Sequence, residues 1–312
     1  MSVEIRTFRL IDTFRAQPTP RAGSLITTVF GDAIAPRGGS VWIGSLIACL
    51  APFGLSERLV RTAMFRLTRD GWFEAEQVGR RSYYRLTGAG RARFEQASHR
   101  IYGEPRQRWS GDWTVALLAA LPTADKDRAR RELGWLGFGA LTPNILAHPA
   151  PDTADLDTTL ASLGLAERLV LLRGSTPGAG QDRVLTELAQ KSWDLDDVEA
   201  RYAAFIDRYR PVYAAVRKAR RIEPVLAFHV RTLLVHDYRR IVLRDPLLPA
   251  GLLPADWHGT QAYQLCRNLY RAVYAAADEF LGSAMETADG PLPPPSPAYY
   301  ERFSGLSEET TA

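Results

Sequence analysis

The chain has 312 residues, 46% of them hydrophobic and 24% charged, which suits two or three soluble domains with a substantial core. No stretch approaches the roughly 18 apolar residues of a membrane span. The amino terminus, with Arg6, Arg9 and Arg15, lacks the apolar run of a secretory signal, and the two distant cysteines, Cys49 and Cys266, exclude a disulfide framework, so the expectation is a cytoplasmic protein with reduced thiols. The net charge of +4 is unevenly placed: residues 1–108 hold 17 Arg, no Lys and 9 acids, a net +8, and the remainder is −4. A bias toward Arg (36, against 3 Lys) explains Arg over Lys but not this asymmetry, which points to a polyanionic partner for the front part.

Residues 1–20, broken by Pro18 and Pro20, read as a mobile arm. Three helical patterns follow: about Arg21 to Ile34, stopping before Pro36; about Gly44 to Ala51, stopping at Pro52; and one with Ser56 as N-cap, running to about Arg69 before Asp70-Gly71. Two strand-like runs, Trp72–Glu76 and Ser82–Thr87, flank a Gly79-containing turn and predict a hairpin. A basic helix, about Ala89 to Ile101, closes a unit expected to span 21–103 as a winged helix-turn-helix. Beyond it, a strand from Trp113 to Leu121, a helix from Asp125 to Leu136, one or two strands from Phe138 to Ala147, a helix from Thr153 to Leu163 and a strand from Ala166 to Leu172 predict a ferredoxin-like α+β domain over 104–176. Its apolar strand Val115–Leu121 is the candidate dimer element, or simply a core strand. Gly174–Gly180 reads as a linker. Helices near 183–192, 196–208, 212–219, 224–243 and 260–285 predict an all-α domain over 177–288, and 289–312 a proline-rich tail.

The third helix carries the sharpest signal. On a 3.6-residue wheel Leu59, Val60, Ala63, Met64 and Leu67 share one side, and Arg58, Arg61, Thr62, Phe65 and Arg69 the other. An arginine donates two hydrogen bonds to guanine in the major groove, which makes such a face a candidate recognition surface. Phe65 has a second reading, as filler of the junction with the preceding helix. Ser56, Arg58, Arg61, Thr62, Phe65, Arg66 and Arg69 are the helix's candidate DNA-binding residues. The hairpin adds Arg80, Arg81, Ser82 and Tyr83, placed to reach phosphates or the minor groove. Strand alternation turns one of Tyr83 and Tyr84 under the wing.

Several stretches together resemble the PaaX-type repressors of phenylacetate degradation. They are Arg61–Leu67 with Asp70-Gly71-Trp72; Gly79–Thr87; Arg100-Ile101-Tyr102-Gly103; Trp109–Trp113; Leu136–Gly139; His236–Pro246; and Leu252–Trp257. The likeness covers about residues 20 to 285. It implies a homodimer that binds double-stranded operator DNA, blocks transcription and is released by phenylacetyl-coenzyme A; a regulator of a related aromatic pathway such as styrene is the alternative within the family. Two-fold symmetry matches inverted-repeat operators.

An acyl-coenzyme A effector needs cations for its phosphates and an apolar pocket for its acyl group. His229, Leu233, His236 and Arg240 share a helix face, with Arg239, Arg244 and Trp257 nearby in sequence. This gives Arg240 and Arg244 as phosphate partners and Tyr238 or Trp257 at the acyl end; ion pairs in a structural hinge are the competing reading.

No resident cofactor is expected. There is no Gly-Lys-Ser/Thr phosphate loop, no zinc ligand spacing and no Gly-x-Ser-x-Gly elbow, and Asp112 precedes its strand where a nuclease carboxylate would end it. A non-enzyme is therefore favoured. The alternatives still open on sequence are an enzyme acting on nucleic acid or an acyl-thioester, with the winged domain as tether, and an architectural DNA binder.

Overall fold

The computed structural model describes residues 1–17, 22–105, 109–149, 151, 153–176 and 182–306. They fall into two compact units, one formed by Met1–Glu104, Phe205–Arg239 and Gln261–Ala312, the other by Pro105–Ala204 and Arg240–Thr260. The helical segment expected as one domain over 177–288 is thus divided between both.

Helix α1 (Val3–Arg15) stands where the arm was expected. Val3, Thr7, Leu10, Ile11 and Phe14 recur at helical spacing and are buried, and Ser2 caps the helix by accepting from the Ile5 N–H at 3.4 Å. Pro18 and Pro20, on which the arm reading rested, lie outside the described residues, as does Arg21. Helix α2 (Ala22–Val29) continues into a π-helical turn, Phe30–Ile34, and a 3-10 turn, Ala35–Arg37. A strand missing from the sequence reading, β1 (Ser40–Trp42), leads into α3 (Ile43–Leu50). The 3-10 turn Ala51–Phe53 then delivers the chain to α4 (Glu57–Arg69). Strands β2 (Phe73–Val78) and β3 (Arg81–Leu86) form the expected hairpin, and β1 pairs with the free side of β3, giving the order β1-β3-β2. The two-residue turn needs a positive φ at its first position, +60° at Gly79, which glycine adopts without steric cost. Helix α5 (Gly88–Tyr102) follows, capped by Thr87.

In the second unit β4 (Asp112–Leu117), α6 (Thr123–Trp135), β5 (Gly139–Thr142), β6 (Ile145–His148), α7 (Thr153–Leu163) and β7 (Val170–Ser175) build a four-stranded antiparallel sheet in the order β5-β6-β4-β7. Ala116, Leu118, Leu133, Leu146, Leu156 and Leu160 form its core. Strand β4 is hydrogen-bonded on both sides, to β6 and β7, so the Val115–Leu121 run is an interior strand ending at Leu117 and offers no edge to a second subunit. Gly174 and Ser175, expected in the linker, belong to β7; residues 177–180 lie outside the described residues. Gly137 holds φ at +94°, and its carbonyl accepts from the Trp193 indole at 2.8 Å.

Helices α8 (Asp182–Ser192), α9 (Leu195–Lys218), α10 (Pro224–Val242) and α11 (Gly259–Ala284) follow. The two helices expected at 196–208 and 212–219 are one, with Pro211 inside it; an interior proline loses an N–H bond and crowds the carbonyl four residues back, and Tyr209, Val212 and Val216 around it are buried. The carboxy-terminal part is not purely helical. Strands β8 (Glu286–Thr287) and β9 (Gly290–Pro291) form a small hairpin, followed by α12 (Pro297–Tyr300). The expected tail is therefore packed as far as residue 306, with Tyr299, Phe303 and Leu306 buried; residues 307–312 lie outside the described residues. Both cysteines are free and buried, and burial raises both thiols, Cys49 to about 12. Among the described residues no helix is long and apolar enough to cross a membrane, and no group of His, Cys, Asp or Glu has the makings of a metal site.

The first unit is built around buried charge. The π-helical turn points Asp32 inward, where its carboxylate accepts from Arg231 (2.7 Å), Arg302 (3.0 Å), Tyr102 (2.7 Å) and Tyr270 (2.9 Å). Arg231 also reaches Asp278 at 2.6 Å, and Asp278 lies 2.6 Å from the Arg37 guanidinium. Burial alone would raise the Asp32 pKa, but Arg231 and Arg302 outweigh it and hold the group below its ordinary value. Taking these ions out of water is costly, so the network is an argument for register more than for net stability. Removing one member is another matter, because the remaining charges stay buried. Asp32→Ala should cost about 3–5 kcal/mol in denaturant unfolding, and a loss under ~1 kcal/mol would show that the guanidiniums find water.

Candidate nucleic-acid interface

Helix α4 is amphipathic in the sense its sequence predicts. Val60 and Met64 are fully buried, Leu59, Ala63 and Leu67 half-buried, and Arg58, Arg61, Thr62, Phe65, Arg66 and Arg69 exposed. Ser56 is exposed but spends its hydroxyl on the helix, accepting from the Leu59 N–H at 3.4 Å. Arg61 pairs with Glu57 one turn back at 2.8 Å and Arg69 with Asp70 at 3.3 Å. Both are surface pairs of the kind worth well under 1 kcal/mol, which phosphates or guanines displace readily. Phe65 does not fill a helix junction, being 68% exposed.

Burial along the hairpin does not alternate strictly. Arg80 and Arg81 are exposed, Ser82 and Tyr84 half-buried, and Tyr83 only 6% exposed. Tyr83 is thus largely withdrawn from solvent, although it shares a face of β3 with exposed Arg81, two residues away, to which its side chain is hydrogen-bonded, and has Trp42 opposite it on β1. Arg81 stacks over the Trp42 ring at 4.3 Å and pairs with Glu286 of β8 at 2.7 Å, while the Glu286 N–H donates to Ser45 at 3.2 Å. Sequence reading missed Trp42 and Glu286. Trp42 belongs to the overlooked strand, and Glu286 lies 205 residues away with no local signal. The arrangement presents a cationic helix beside a cationic turn on one scaffold, the combination that suits a nucleic-acid groove and its phosphates.

Comparison with known proteins decides the family. A model described as PaaX-like protein matches residues 21–90, one described as PaaX protein central Cas2-like domain matches 106–186, and one described as PaaX-like protein C-terminal domain matches 193–283. A protein of Escherichia coli (strain K12), transcriptional repressor PaaX, is 39% identical over 307 residues, covering 97% of each chain. The chain belongs to the PaaX-like family. Among solved structures, an uncharacterized protein, Rv0674 from Mycobacterium tuberculosis, is 25% identical with a TM-score of 0.47, covering 76% of this chain and 89% of its own.

In this PaaX-like chain the expected effector stripe on α10 is a packing face. His236 is fully buried, 2.9 Å from the Thr28 hydroxyl and edge-on to Phe14. Tyr238 is buried against Phe205. Arg239 donates to Thr28 at 2.8 Å and to the Ser24 carbonyl at 3.1 Å, fixing α2 to α10. His229 packs edge-on to Phe53 at 5.2 Å, and neither ring nitrogen has a hydrogen-bond partner among the described residues. A cavity lined by Phe14, Tyr209, Leu233 and Asp237 measures about 10 Å³, room for one water and no acyl group. His229, His236 and Tyr238 are buried, and none of them lines that cavity. In the second unit Arg244 is exposed, Arg240 half-buried, and Trp257 half-buried edge-on to Tyr202 at 5.7 Å.

Burial pushes the His229 pKa down to about 4 from its ordinary 6.5. The folded chain holds this ring neutral while the unfolded chain protonates it near pH 6.5, so stability falls as pH drops from about 6.5 toward 4. The expected loss is of order 2–3 kcal/mol. Urea unfolding at pH 7 and pH 5 should show the decline, and His229→Leu should flatten it; an equal slope in the variant would place the titration elsewhere.

Proposed function

We propose that this chain is a dimeric, cytoplasmic transcriptional repressor that binds double-stranded operator DNA through a winged helix-turn-helix. In this reading α3 and α4 are the helix-turn-helix, α4 enters the major groove, and the β2–β3 hairpin is the wing. The observation that carries it is α4 itself, with Val60 and Met64 fully buried and Arg58, Arg61, Thr62 and Arg69 exposed on the opposite side. The printed name of the Escherichia coli relative, a transcriptional repressor, supports the same assignment. The central unit is read as ferredoxin-like from its strand order, β5-β6-β4-β7. It remains the proposed dimerisation segment, through a surface other than β4, both of whose edges are occupied.

Release by phenylacetyl-coenzyme A is the proposed control, and no catalysis is assigned. With His229, His236 and Tyr238 buried, exposed Arg244 and half-buried Arg240 and Trp257 are the better placed of the effector candidates. A gel shift on promoter fragments of aromatic catabolic genes should be abolished by phenylacetyl-coenzyme A but not by phenylacetate or free coenzyme A. The same thioester should raise the melting temperature, since a ligand of the folded state stabilises it.

Two variants test the contacts. Arg61→Ala should weaken operator binding by about 1–3 kcal/mol and relax one base position; unchanged affinity would move the reading helix elsewhere. Arg81→Ala should weaken all sequences alike and lower the salt slope by about one. Loss of discrimination at a single base would instead make the wing a reader.

A further inference from the structure

Phe65 is the most exposed large hydrophobic residue among the described ones, at 68%. It sits on the cationic side of α4, one turn from Arg61 and Thr62 on one side and from Arg69 on the other, all of them exposed. Residues three and four apart are neighbours on a helix surface, so the ring is framed by arginine rather than by an apolar surround. Thr62 adds a second, independent feature. Its hydroxyl donates to the Arg58 carbonyl at 2.8 Å, so the hydroxyl is committed to the helix and the γ-methyl is the group left for outside contact. A phenyl ring and a methyl group side by side, ringed by guanidiniums, make a small apolar strip in a cationic field.

A protein partner matching that strip would need an apolar pocket rimmed by several acids. Duplex DNA supplies the complement in one object: phosphates at the groove walls, guanine acceptors on its floor, and one apolar feature, the thymine 5-methyl. We propose that Phe65, with the Thr62 methyl beside it, reads the 5-methyl groups of thymine in the major groove, next to guanines contacted by Arg58 or Arg61. The inference rests on α4 being the recognition helix and adds to it a base identity, so each half-site carries thymine beside guanine.

The test uses the full-length chain. Duplexes are selected from a random-sequence pool, and in the best binder each thymine is replaced singly by deoxyuridine, which keeps the base pair and removes only the methyl. Wild type should lose about fourfold affinity at one or two positions per half-site, the worth of one buried methyl. Phe65→Ala should bind thymine and uracil duplexes equally at those positions while keeping its guanine preference. Its melting temperature and oligomeric mass should match wild type, because the ring is exposed. Indifference of wild type to every methyl, or full retention of the thymine preference in Phe65→Ala, overturns the proposal. So does a lowered melting temperature or an altered mass, which would mean that the ring packs in a protein interface. If no sequence is enriched at all, the DNA-reading role of α4 fails first, and the two failures are told apart.

Discussion

The first unit depends on one buried carboxylate. Asp32 sits in a π-helical turn at the end of α2, and its acceptors gather two guanidiniums and two phenols from α5, α10, α11 and the segment after α12. π-helical turns are rare in proteins and occur frequently at functional sites. Here the turn carries Asp32, which is buried in the core and bonded by four segments up to 270 residues away in sequence. Arg231 extends the arrangement to Asp278, and Arg37 joins from the 3-10 turn that follows the bulge. Helix α4 packs on α2, the helix that leads into this turn. Aromatic contacts reinforce it: Phe53, in the turn before α4, touches Phe14 of α1 and Phe228 and His229 of α10.

Local periodicity made much of this fold legible. Helix α4, its Ser56 cap and the β2–β3 hairpin carry strong amphipathic or turn signals, α6 and α7 weaker ones, and all are read within a few residues of their observed bounds. What escaped was non-local or diluted. Helix α1 has a clear apolar stripe, but Thr7 replaces an aliphatic residue in it and the nearby prolines dominate the composition. Strand β1 is three residues long and exists only because β3 offers it an edge. The tail's prolines signal extended chain, whereas Tyr299, Arg302 and Phe303 are held by partners in α5 and α11. The α10 histidines illustrate a different limit. Helical spacing showed that His229, His236 and Arg240 share a face, but spacing cannot distinguish a face lining a pocket from one buried against α1 and α2.

The charge asymmetry along the sequence also changes meaning once the chain is folded. Of the front part's arginines, Arg37 is spent on Asp278 and Arg81 on Glu286, both acids of the carboxy-terminal part. Some of the apparent basic excess is therefore internal bookkeeping between distant segments. Part of the positive charge that survives lies on α4, where Arg58 and Arg66 enter no ion pair among the described residues and Arg61 has only a solvent-exposed partner. A field that remains after internal neutralisation is the part able to steer a polyanion. Arg81 occupies an intermediate position. Its guanidinium stacks on Trp42 and is also paired with Glu286 of β8, a strand packed beside β1. The same segment continues through Tyr299 and Arg302 into the Asp32 network.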